Sequence, residues 1–319
     1  MTQPVRVGII GAGGVGGYYG GLLARAGHPV SLLARGANLE ALRTRGLVVR
    51  TADEDWTSPV VASEDARELS APFGEGDLAL VTTKSYSLSE IAPAVRMFAE
   101  RGATILPLQN GVEAADTLIK LGVSTEQIIG GVTYISAVRI APGTIQRRTP
   151  AQRVIVGELP RGISSRVNHI VAMFANAGAQ AEASEDITVA LWQKFVFLSS
   201  LAAGCGLARL PLGQVRDNPL GARFLERAVR EAVGVGRVRG VSLPQDEAEQ
   251  ATSRIQSLPA DTEPSLLLDI WSGTRTEVDV LSGAVARFAA ESGLETPAHD
   301  TAAFALALQS SSADLARHV

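Results

Sequence analysis

Short runs of β-branched and apolar residues alternate with helical stretches through the first half of the chain. Runs typical of buried strands lie at residues 5–11, 29–35, 77–84 and 103–111, and helical segments separate them at 16–27 and 87–102. Further strand-like runs follow at 46–51 and 58–63, which form either separate strands or a hairpin, and at 128–148 and 153–159. Because strands that alternate with helices form parallel sheets, this order predicts an α/β fold with a Rossmann-type, doubly wound, mostly parallel sheet.

The pattern changes after about residue 185, where strand signals give way to long helical periods. Helices are predicted at about 186–208, 219–239, 263–291 and 297–309. Thr296 precedes the last of these as a candidate cap, and Pro297 suits its first turn. We therefore predict two domains, an α/β domain over residues 1–185 and an all-α domain over residues 186–319.

Composition excludes several classes of function. The 319 residues carry a formal net charge of -4, which gives no basic footprint for nucleic acid. No uninterrupted apolar run reaches membrane-spanning length, and the apolar start of the chain is too short for a signal peptide. Cys205 is the only cysteine, and the 4 histidines show no metal-ligand spacing. We predict a soluble cytoplasmic protein with no metal and no nucleic-acid or membrane partner.

The segment GIIGAGGVGG carries the most specific motif. Its G-x-G-x-x-G pattern follows the first predicted strand and opens a helix, as in a dinucleotide-binding turn. One glycine permits the tight turn, the next lets the backbone approach a pyrophosphate, and the third lets the helix pack on the strand. A glycine-rich turn without a ligand is the alternative. The predicted cofactor-binding residues of this turn are Gly11, Ala12, Gly13, Gly14, Val15 and Gly16.

The residue at the end of the second predicted strand indicates which dinucleotide binds. A site for NAD carries Asp or Glu there, whereas this chain has Arg35 and no acidic residue before Glu40. A guanidinium can pair with a 2′-phosphate, so Arg35 predicts NADPH/NADP as the cofactor. An arginine on a solvated loop is the alternative, although it does not account for the missing acid.

Two more polar residues follow predicted strands. Lys84 ends LVTTK, and Asn110 ends LPLQN. Ligands of open α/β sheets lie beyond the carboxyl ends of the strands, so both residues fall in the region expected for a cofactor. An exposed loop cation and a turn asparagine in the pair Asn-Gly are the respective alternatives.

Lys194 is the one full charge in the apolar stretch VALWQKFVFLSSLAAG, residues 189–204. Its stem could lie along an apolar helix face while the ammonium reaches water. Alternatively, the ammonium is held in a cleft for chemistry. The residue pattern alone favours the first reading.

Six segments, taken in order, resemble the ketopantoate reductase (2-dehydropantoate 2-reductase) family. They are GAGGVGG, VTTKS, LQNGVE, GGVTYISAVRIAPGTI, LWQKF and PSLLLDIWSGTRTEVDVLSG. The resemblance implies an NADP-binding Rossmann domain, a helical domain, and a small 2-oxo-acid substrate bound between them. It implies NADPH-dependent reduction, most directly of ketopantoate to pantoate in the biosynthesis of pantothenate and coenzyme A. A homodimer is a further expectation, by fold-level analogy only.

The resemblance also implies roles for individual residues. Lys194 matches the general acid, Glu277 a catalytic glutamate that also lies at the cofactor, and Ser265 a substrate contact. Asn110 matches an asparagine near both nicotinamide and substrate, and Lys84 a cofactor contact. The chemistry agrees, because reduction of a ketone places negative charge on its oxygen, which an ammonium can stabilise and protonate. Burial of Lys194 beside Trp192 and Phe195 would lower its pKa and improve it as a donor near neutrality.

The spacing of Glu277 from three earlier residues also supports a site role for it. Ser265, Asp269, Gly273 and Glu277 recur every four residues, which predicts one stripe of a continuous helix. An ion pair with a surface arginine such as Arg275 is the alternative for Glu277.

The chain departs from the family pattern beside the predicted acid. The family commonly places asparagines four and eight positions after the lysine, where this chain has Leu198 and Ala202. An apolar wall discriminates mostly by size, so a less polar 2-oxo acid or ketone is an alternative substrate. A non-catalytic NADP-binding sensor is the alternative from another class, although a sensor has no need of both Lys194 and Glu277.

Overall fold

The computed structural model describes residues 4–315, and the side chains of residues 4–309, so the outermost residues of both predicted domains lie outside it. The chain divides into two units. The first holds the described residues up to Gln109 together with Glu113–Thr188. The second holds Asn110–Val112 together with the described residues from Val189 onward. A short segment thus belongs to the second unit although the chain on both sides of it belongs to the first.

The first unit alternates strands and helices. Its elements, in chain order, are β1 (Val7–Ile10), α1 (Gly14–Arg25), β2 (Val30–Leu33), α2 (Gly36–Arg45), β3 (Leu47–Arg50), β4 (Asp55–Ser58), β5 (Val61–Ser63), α3 (Ala66–Ser70), β6 (Leu78–Val81), α4 (Leu88–Glu100), β7 (Thr104–Pro107), α5 (Ala114–Lys120), β8 (Gly130–Ala141), β9 (Thr144–Gly157), α6 (Ser165–Asn176) and β10 (Gln180–Ala183).

The central sheet of this unit is entirely parallel, with strand order β5-β2-β1-β6-β7. Every residue of β1, β6 and β7 is buried. Parallel strands covered on both faces are continuously apolar, which is why these segments could be recognised in the sequence. The predicted Rossmann-type sheet is confirmed.

A second, mixed sheet was not predicted. Its order is β10-β9-β3-β4, with β8 also paired to β9. The β3–β4 and β8–β9 pairs are antiparallel, whereas β9 pairs in parallel with β3 near its start and with β10 near its end. Residues 58–63 are shared between β4 and β5, which lie in different sheets. Partner choice over such sequence distances depends on tertiary packing, so the strand pattern alone does not show it.

Helix α1 packs against strands of both sheets, and its glycines make this approach possible. A Cβ on Gly17 would lie 2.5 Å from Ile145 Cγ1 in β9, and one on Gly21 would lie 2.4 Å from Val49 Cγ2 in β3. On its central-sheet side, Gly20 lies against Ile9. The predicted close packing of this glycine-rich helix is confirmed.

The described part of the second unit contains helices and no strand. They are α7 (Ile187–Ala208), whose first two residues belong to the first unit, α8 (Leu212–Arg216), α9 (Pro219–Val238), α10 (Glu247–Ser257), α11 (Ser265–Trp271), α12 (Ser282–Ser292) and α13 (Pro297–Leu315). The prediction of an all-α second half is confirmed. The single helix predicted over 263–291 is wrong, because α11 ends at Trp271 and Gly273 has a φ of +63°.

Helix α7 is the one described helix long and apolar enough to cross a membrane by length and composition alone. Its side chains pack in the core of the second unit, where Phe195, Val196 and Leu201 are almost fully buried. Packing in a protein core therefore accounts for its apolar composition.

A buried histidine joins three helices of the second unit. The His299 ring is 0% exposed, and its Nε2 lies 3.0 Å from the carbonyl oxygen of Ala228 in α9 and its Nδ1 3.2 Å from Ser282 Oγ in α12. Nearby, the Glu231 carboxylate accepts hydrogen bonds from the backbone N–H groups of Ala298 and His299. Glu231, rather than the predicted Thr296, therefore caps α13. Burial lowers the pKa of His299 to about 4.

This histidine predicts a pH-dependent stability. The unfolded chain takes up the proton near pH 6.5 and the folded chain only near pH 4, so stability falls as pH drops between these values. The loss reaches about 3 kcal/mol for a shift of this size. Urea unfolding between pH 4 and pH 7 should show this slope, and His299→Gln should flatten it. His169→Gln, which alters an exposed ring, is the matched control. A slope retained in His299→Gln contradicts the assignment.

Candidate active site

The glycine turn after β1 has the geometry expected of its first and third glycines. Gly11 has a φ of +116°, and a Cβ there would lie 2.5 Å from the backbone nitrogen of Thr83. A Cβ on Gly16 would lie 2.3 Å from the Gly11 carbonyl oxygen and 2.2 Å from Thr82 Oγ1. The first glycine therefore makes the turn, and the third allows α1 to lie directly on it.

The second glycine leaves space. A Cβ on Gly13 would meet no described atom within 4 Å, and Gly13 is the N-cap residue directly before α1. Ala12 and Val15 pack into the core of this unit, and Gly14 lies against the Ala137 carbonyl. An open backbone face at a helix N-terminus is the environment that a dinucleotide pyrophosphate needs, so the residues fit that group.

The register of the central sheet brings the other predicted cofactor residues to the same edge. Ile10, the last residue of β1, is paired with Leu33 of β2 on one side and Val81 of β6 on the other. Arg35 and Lys84 follow Leu33 and Val81 by two and three positions, so both lie beyond the same carboxyl edge as the glycine turn. Lys84 is partly buried and directly precedes a 3₁₀ turn, Ser85–Ser87.

Two buried polar side chains at this edge were not predicted. Thr83 and Gln109 each lie two residues beyond a paired position, Val81 in β6 and Pro107 in β7. Neither Thr83 Oγ1 nor the Gln109 amide has a hydrogen-bond partner among the described residues. Buried polar groups are normally paired, so their orphaned atoms at the sheet edge also fit a polar ligand there. Both residues lie in segments that carry the family resemblance, VTTKS and LQNGVE, but no role was predicted for either.

Glu90 is a further residue that the sequence analysis missed. It lies in the first turn of α4, and its Oε1 accepts a hydrogen bond from Arg35 Nη1 at 2.8 Å. Both side chains are exposed, at 67% for Arg35 and 62% for Glu90. A carboxylate from the segment that follows β6 is therefore the ion-pair partner of Arg35.

The second unit brings together three predicted catalytic and substrate residues. Lys194 Nζ donates a hydrogen bond of 3.0 Å to Asn110 Oδ1. Asn110 Nδ2 in turn donates to Glu277 Oε2 at 3.3 Å. Asn110 is 84 positions from Lys194 and 167 positions from Glu277 along the chain. Only the tertiary structure could therefore show that the three residues form one hydrogen-bonded chain.

Asn110 reaches this position through the turn that follows β7. Gly111 has a φ of +90°, and a Cβ there would lie 3.0 Å from the Val280 carbonyl oxygen. The next residue, Val112, packs against the apolar core of the second unit. The Asn-Gly pair thus acts as a turn, and the turn also delivers the amide to Lys194. The turn reading is therefore confirmed, whereas contact of Asn110 with a cofactor or substrate stays a prediction.

The environment of Lys194 favours an ammonium that loses its proton readily. The side chain is partly buried, and desolvation lowers its pKa to about 8, with the negative charge of Glu277 offsetting part of this effect. The predicted direction is confirmed. The ammonium is desolvated and hydrogen-bonded to Asn110, which disfavours the alternative in which the stem lies along an apolar face and the ammonium reaches water.

Glu277 does not lie on the predicted helical stripe. It is 6% exposed and precedes a 3₁₀ turn, Val278–Val280, after α11 has ended. Ser265 is the first residue of α11 and is exposed. Among the described hydrogen bonds, none joins Ser265 to Asn110, Lys194 or Glu277, so its substrate role stays a prediction.

The two departures from the family pattern lie on α7 after Lys194. Leu198 is partly buried, and Ala202 is 1% exposed within the apolar core. The neighbouring Ser199 and Ser200 are both 0% exposed, and Ser199 Oγ donates to the Val196 carbonyl. Neither serine replaces the missing amides on the lysine face of the helix.

Comparison with known families decides the class of protein. The family described as "Ketopantoate reductase PanE/ApbA" matches residues 7–161, and its C-terminal counterpart matches residues 186–308. Together the two matches cover well over half of the chain. The chain belongs to the ketopantoate reductase family. It is therefore an oxidoreductase, as predicted.

Individual relatives agree with this membership. The 2-dehydropantoate 2-reductase of Pyrococcus horikoshii is 30% identical over 295 residues, which are 92% of this chain and 93% of that protein. The protein of the same name from Halobacterium salinarum is 31% identical over 294 residues, 92% of this chain and 95% of its own length.

Solved structures share the fold. A PanE/ApbA family ketopantoate reductase from Ralstonia eutropha JMP134 has a TM-score of 0.87 at 30% identity, covering 97% of this chain and 100% of its own. D-mandelate dehydrogenase with NADH and anilino(oxo)acetate also has a TM-score of 0.87, at 20% identity, over 97% of this chain and 99% of that one. At that identity the likeness concerns the fold alone.

Two glycines of the turn provide a matched test. Gly13→Ala should leave the free energy of unfolding within about 1 kcal/mol of the wild type, because a methyl group fits there. It should weaken dinucleotide binding by about tenfold or more, because the methyl group covers the open backbone. Gly16→Ala should instead destabilise the protein by about 1–3 kcal/mol through overpacking. Urea unfolding and calorimetric titration with NADPH and NADH measure both effects. Wild-type binding by Gly13→Ala would contradict the predicted position of the pyrophosphate.

Proposed function

We propose that this protein reduces 2-dehydropantoate (ketopantoate) to pantoate with NADPH, a reaction of pantothenate and coenzyme A biosynthesis. The observation that carries the proposal is the hydrogen-bonded chain from the Lys194 ammonium through Asn110 to Glu277. The names of the Pyrococcus and Halobacterium relatives support ketopantoate as the substrate.

Lys194 is assigned as the general acid. A bound nicotinamide dinucleotide supplies the hydride, and the carbonyl oxygen of the substrate then needs a proton. With a pKa of about 8, the lysine is mostly protonated at neutral pH yet releases its proton more easily than an ordinary lysine. The positive charge also stabilises the negative charge that develops on the oxygen.

Asn110 and Glu277 are assigned as orienting groups. Asn110 Oδ1 accepts one of the three N–H bonds of the ammonium and leaves the others for a substrate oxygen. The Glu277 carboxylate accepts from the Asn110 amide, which fixes which end of that amide faces the lysine. Its charge also keeps the lysine protonated to a higher pH than burial alone would allow.

The cofactor is assigned to the first unit. The residues of the glycine turn, Gly11 to Gly16, fit the pyrophosphate, and Lys84 lies at the same sheet edge. Arg35 is assigned to the 2′-phosphate, which makes NADPH rather than NADH the expected cofactor. The contacts of Asn110 and Glu277 with the cofactor, the Ser265 contact with substrate, and a homodimer all stay predictions.

A second candidate keeps the reaction but changes the substrate. Leu198 and Ala202 offer no side-chain hydrogen bond on the turns of α7 after Lys194, which suits a less polar 2-oxo acid. Values of kcat/KM for ketopantoate and for 2-oxo acids without its hydroxyl group separate the two candidates. A marked preference for ketopantoate dismisses the second, whereas binding of NADPH without any turnover would support a sensor.

Replacement of the acid tests the proposed chemistry. Lys194→Met keeps a chain of similar length but removes the proton donor and the charge, so kcat for ketopantoate should fall about 100- to 10,000-fold. Lys120→Met, at an exposed position on α5, is the control and should retain wild-type kcat. Calorimetric titration should show that Lys194→Met still binds NADPH. A wild-type rate in this variant would exclude Lys194 as the acid.

The pH profile tests the role of Glu277. Turnover should decline as pH rises through about 8, where Lys194 loses its proton. Because the Glu277 carboxylate raises this pKa, Glu277→Gln should shift the alkaline limb of kcat to lower pH. Glu295→Gln, at an exposed site of the same unit, should leave the limb in place. An alkaline limb that does not move in Glu277→Gln would show that this carboxylate does not act on the acid.

A further inference from the structure

The exposed ion pair between Arg35 and Glu90 lies at the sheet edge that carries the glycine turn. Leu33 and Val81 flank Ile10 in the parallel register, so the segments after β2 and β6 leave the sheet on either side of that turn. Arg35 belongs to the first segment, and Glu90, in the first turn of α4, belongs to the second. Their 2.8 Å contact therefore joins two segments that border the same edge.

The guanidinium of Arg35 has a single described ion-pair partner, which is Glu90. A 2′-phosphate that binds Arg35 must displace this carboxylate or share the guanidinium with it. The phosphate carries close to two negative charges, so a carboxylate near the same guanidinium also repels it. The 2′-hydroxyl of NADH carries no charge, and a carboxylate can accept a hydrogen bond from it.

We propose that Glu90 is a specificity-determining residue that holds Arg35 and weakens the binding of the phosphorylated dinucleotide. By pairing with Arg35, the Glu90 carboxylate reduces the ratio of NADPH affinity to NADH affinity. The inference rests on the proposed function, because it takes Arg35 as the partner of the 2′-phosphate. Lys84 lies at the same edge and is unaltered in each variant below, so its charge is common to all of them.

Calorimetric titration of the purified protein measures the effect as dissociation constants for NADPH and NADH, without substrate turnover. Glu90→Gln should strengthen NADPH binding by about fivefold, the size expected when an exposed ion pair no longer competes. NADH binding should stay the same or weaken by up to about twofold. Glu90→Ala, which removes the whole carboxylate group, should also strengthen NADPH binding. Melting temperatures of both variants within about 2 °C of the wild type would show that they fold normally.

Two further variants show whether Glu90 acts through the arginine. In an Arg35→Gln background, the gain in NADPH affinity from Glu90→Gln should fall below about twofold. Glu54→Gln is the matched control, because it breaks another exposed ion pair of the same unit, that of Arg25 with Glu54. It should leave both dissociation constants unchanged. If Glu54→Gln strengthens NADPH binding as much as Glu90→Gln, the effect is one of net charge and the inference is overturned.

The Arg35→Gln variant by itself tests the proposed cofactor. A loss of NADPH affinity much larger than the loss of NADH affinity supports Arg35 as the phosphate partner. If that selective loss is seen but Glu90→Gln leaves NADPH binding unchanged or weaker, only the inference about Glu90 fails. If Arg35→Gln weakens both dinucleotides equally, the assignment of NADPH fails, and the role of Glu90 fails with it.

Discussion

The desolvated ammonium of Lys194 is the group on which the proposed chemistry depends. Taking a cation out of water is costly, and the neighbours of Lys194 in sequence are apolar apart from Gln193. The Asn110 carbonyl oxygen and the charge of Glu277 offset this cost in part. The balance leaves a lysine that remains charged at neutral pH but holds its proton weakly. Full solvation would remove this property, and burial without the Glu277 charge would lower the pKa of Lys194 further.

Asn110 belongs to a short segment after β7 that forms part of the helical unit. The residues on either side of Asn110–Val112 belong to the sheet unit, whereas the segment itself belongs to the helical unit. A positive φ at Gly111 and the burial of Val112 in the helical core hold it there. The parallel strand β7 thus ends in a turn whose side chain takes part in a hydrogen-bonded chain of the other unit.

Strand register determines which residues lie together at the carboxyl edge of the central sheet. Parallel pairing aligns the carboxyl ends of β1, β2, β6 and β7, so residues scattered over some hundred positions share one edge. The same alignment places charges from different loops side by side. If Arg35 binds a phosphate as proposed, the affinity for that phosphate would depend on its pairing with Glu90 as well as on the cation.

Features that depend on local pattern could be predicted from the amino-acid sequence. The glycine turn, the buried parallel strands, the helical second half and the family resemblance could all be read from runs of residues, because each rests on short-range spacing or on burial of both strand faces. The same reading named Lys194, Asn110 and Glu277 separately. The prediction of one helix over residues 263–291 was wrong, because the chain leaves the helix before Gly273. A single glycine in a sequence does not show whether a helix continues through it.

Which of these residues contact one another depends on how the helices and strands pack in the folded chain. The Lys194–Asn110–Glu277 chain, the second sheet on β9, the cap that Glu231 provides for α13 and the Arg35–Glu90 pair all join residues far apart along the chain. Contacts of this kind form when helices and strands pack together. The local sequence around one partner therefore does not indicate which residue the other partner is. The apolar neighbours of Lys194 in sequence predicted that burial lowers its pKa, but the opposing effect of the Glu277 charge depends on the folded chain.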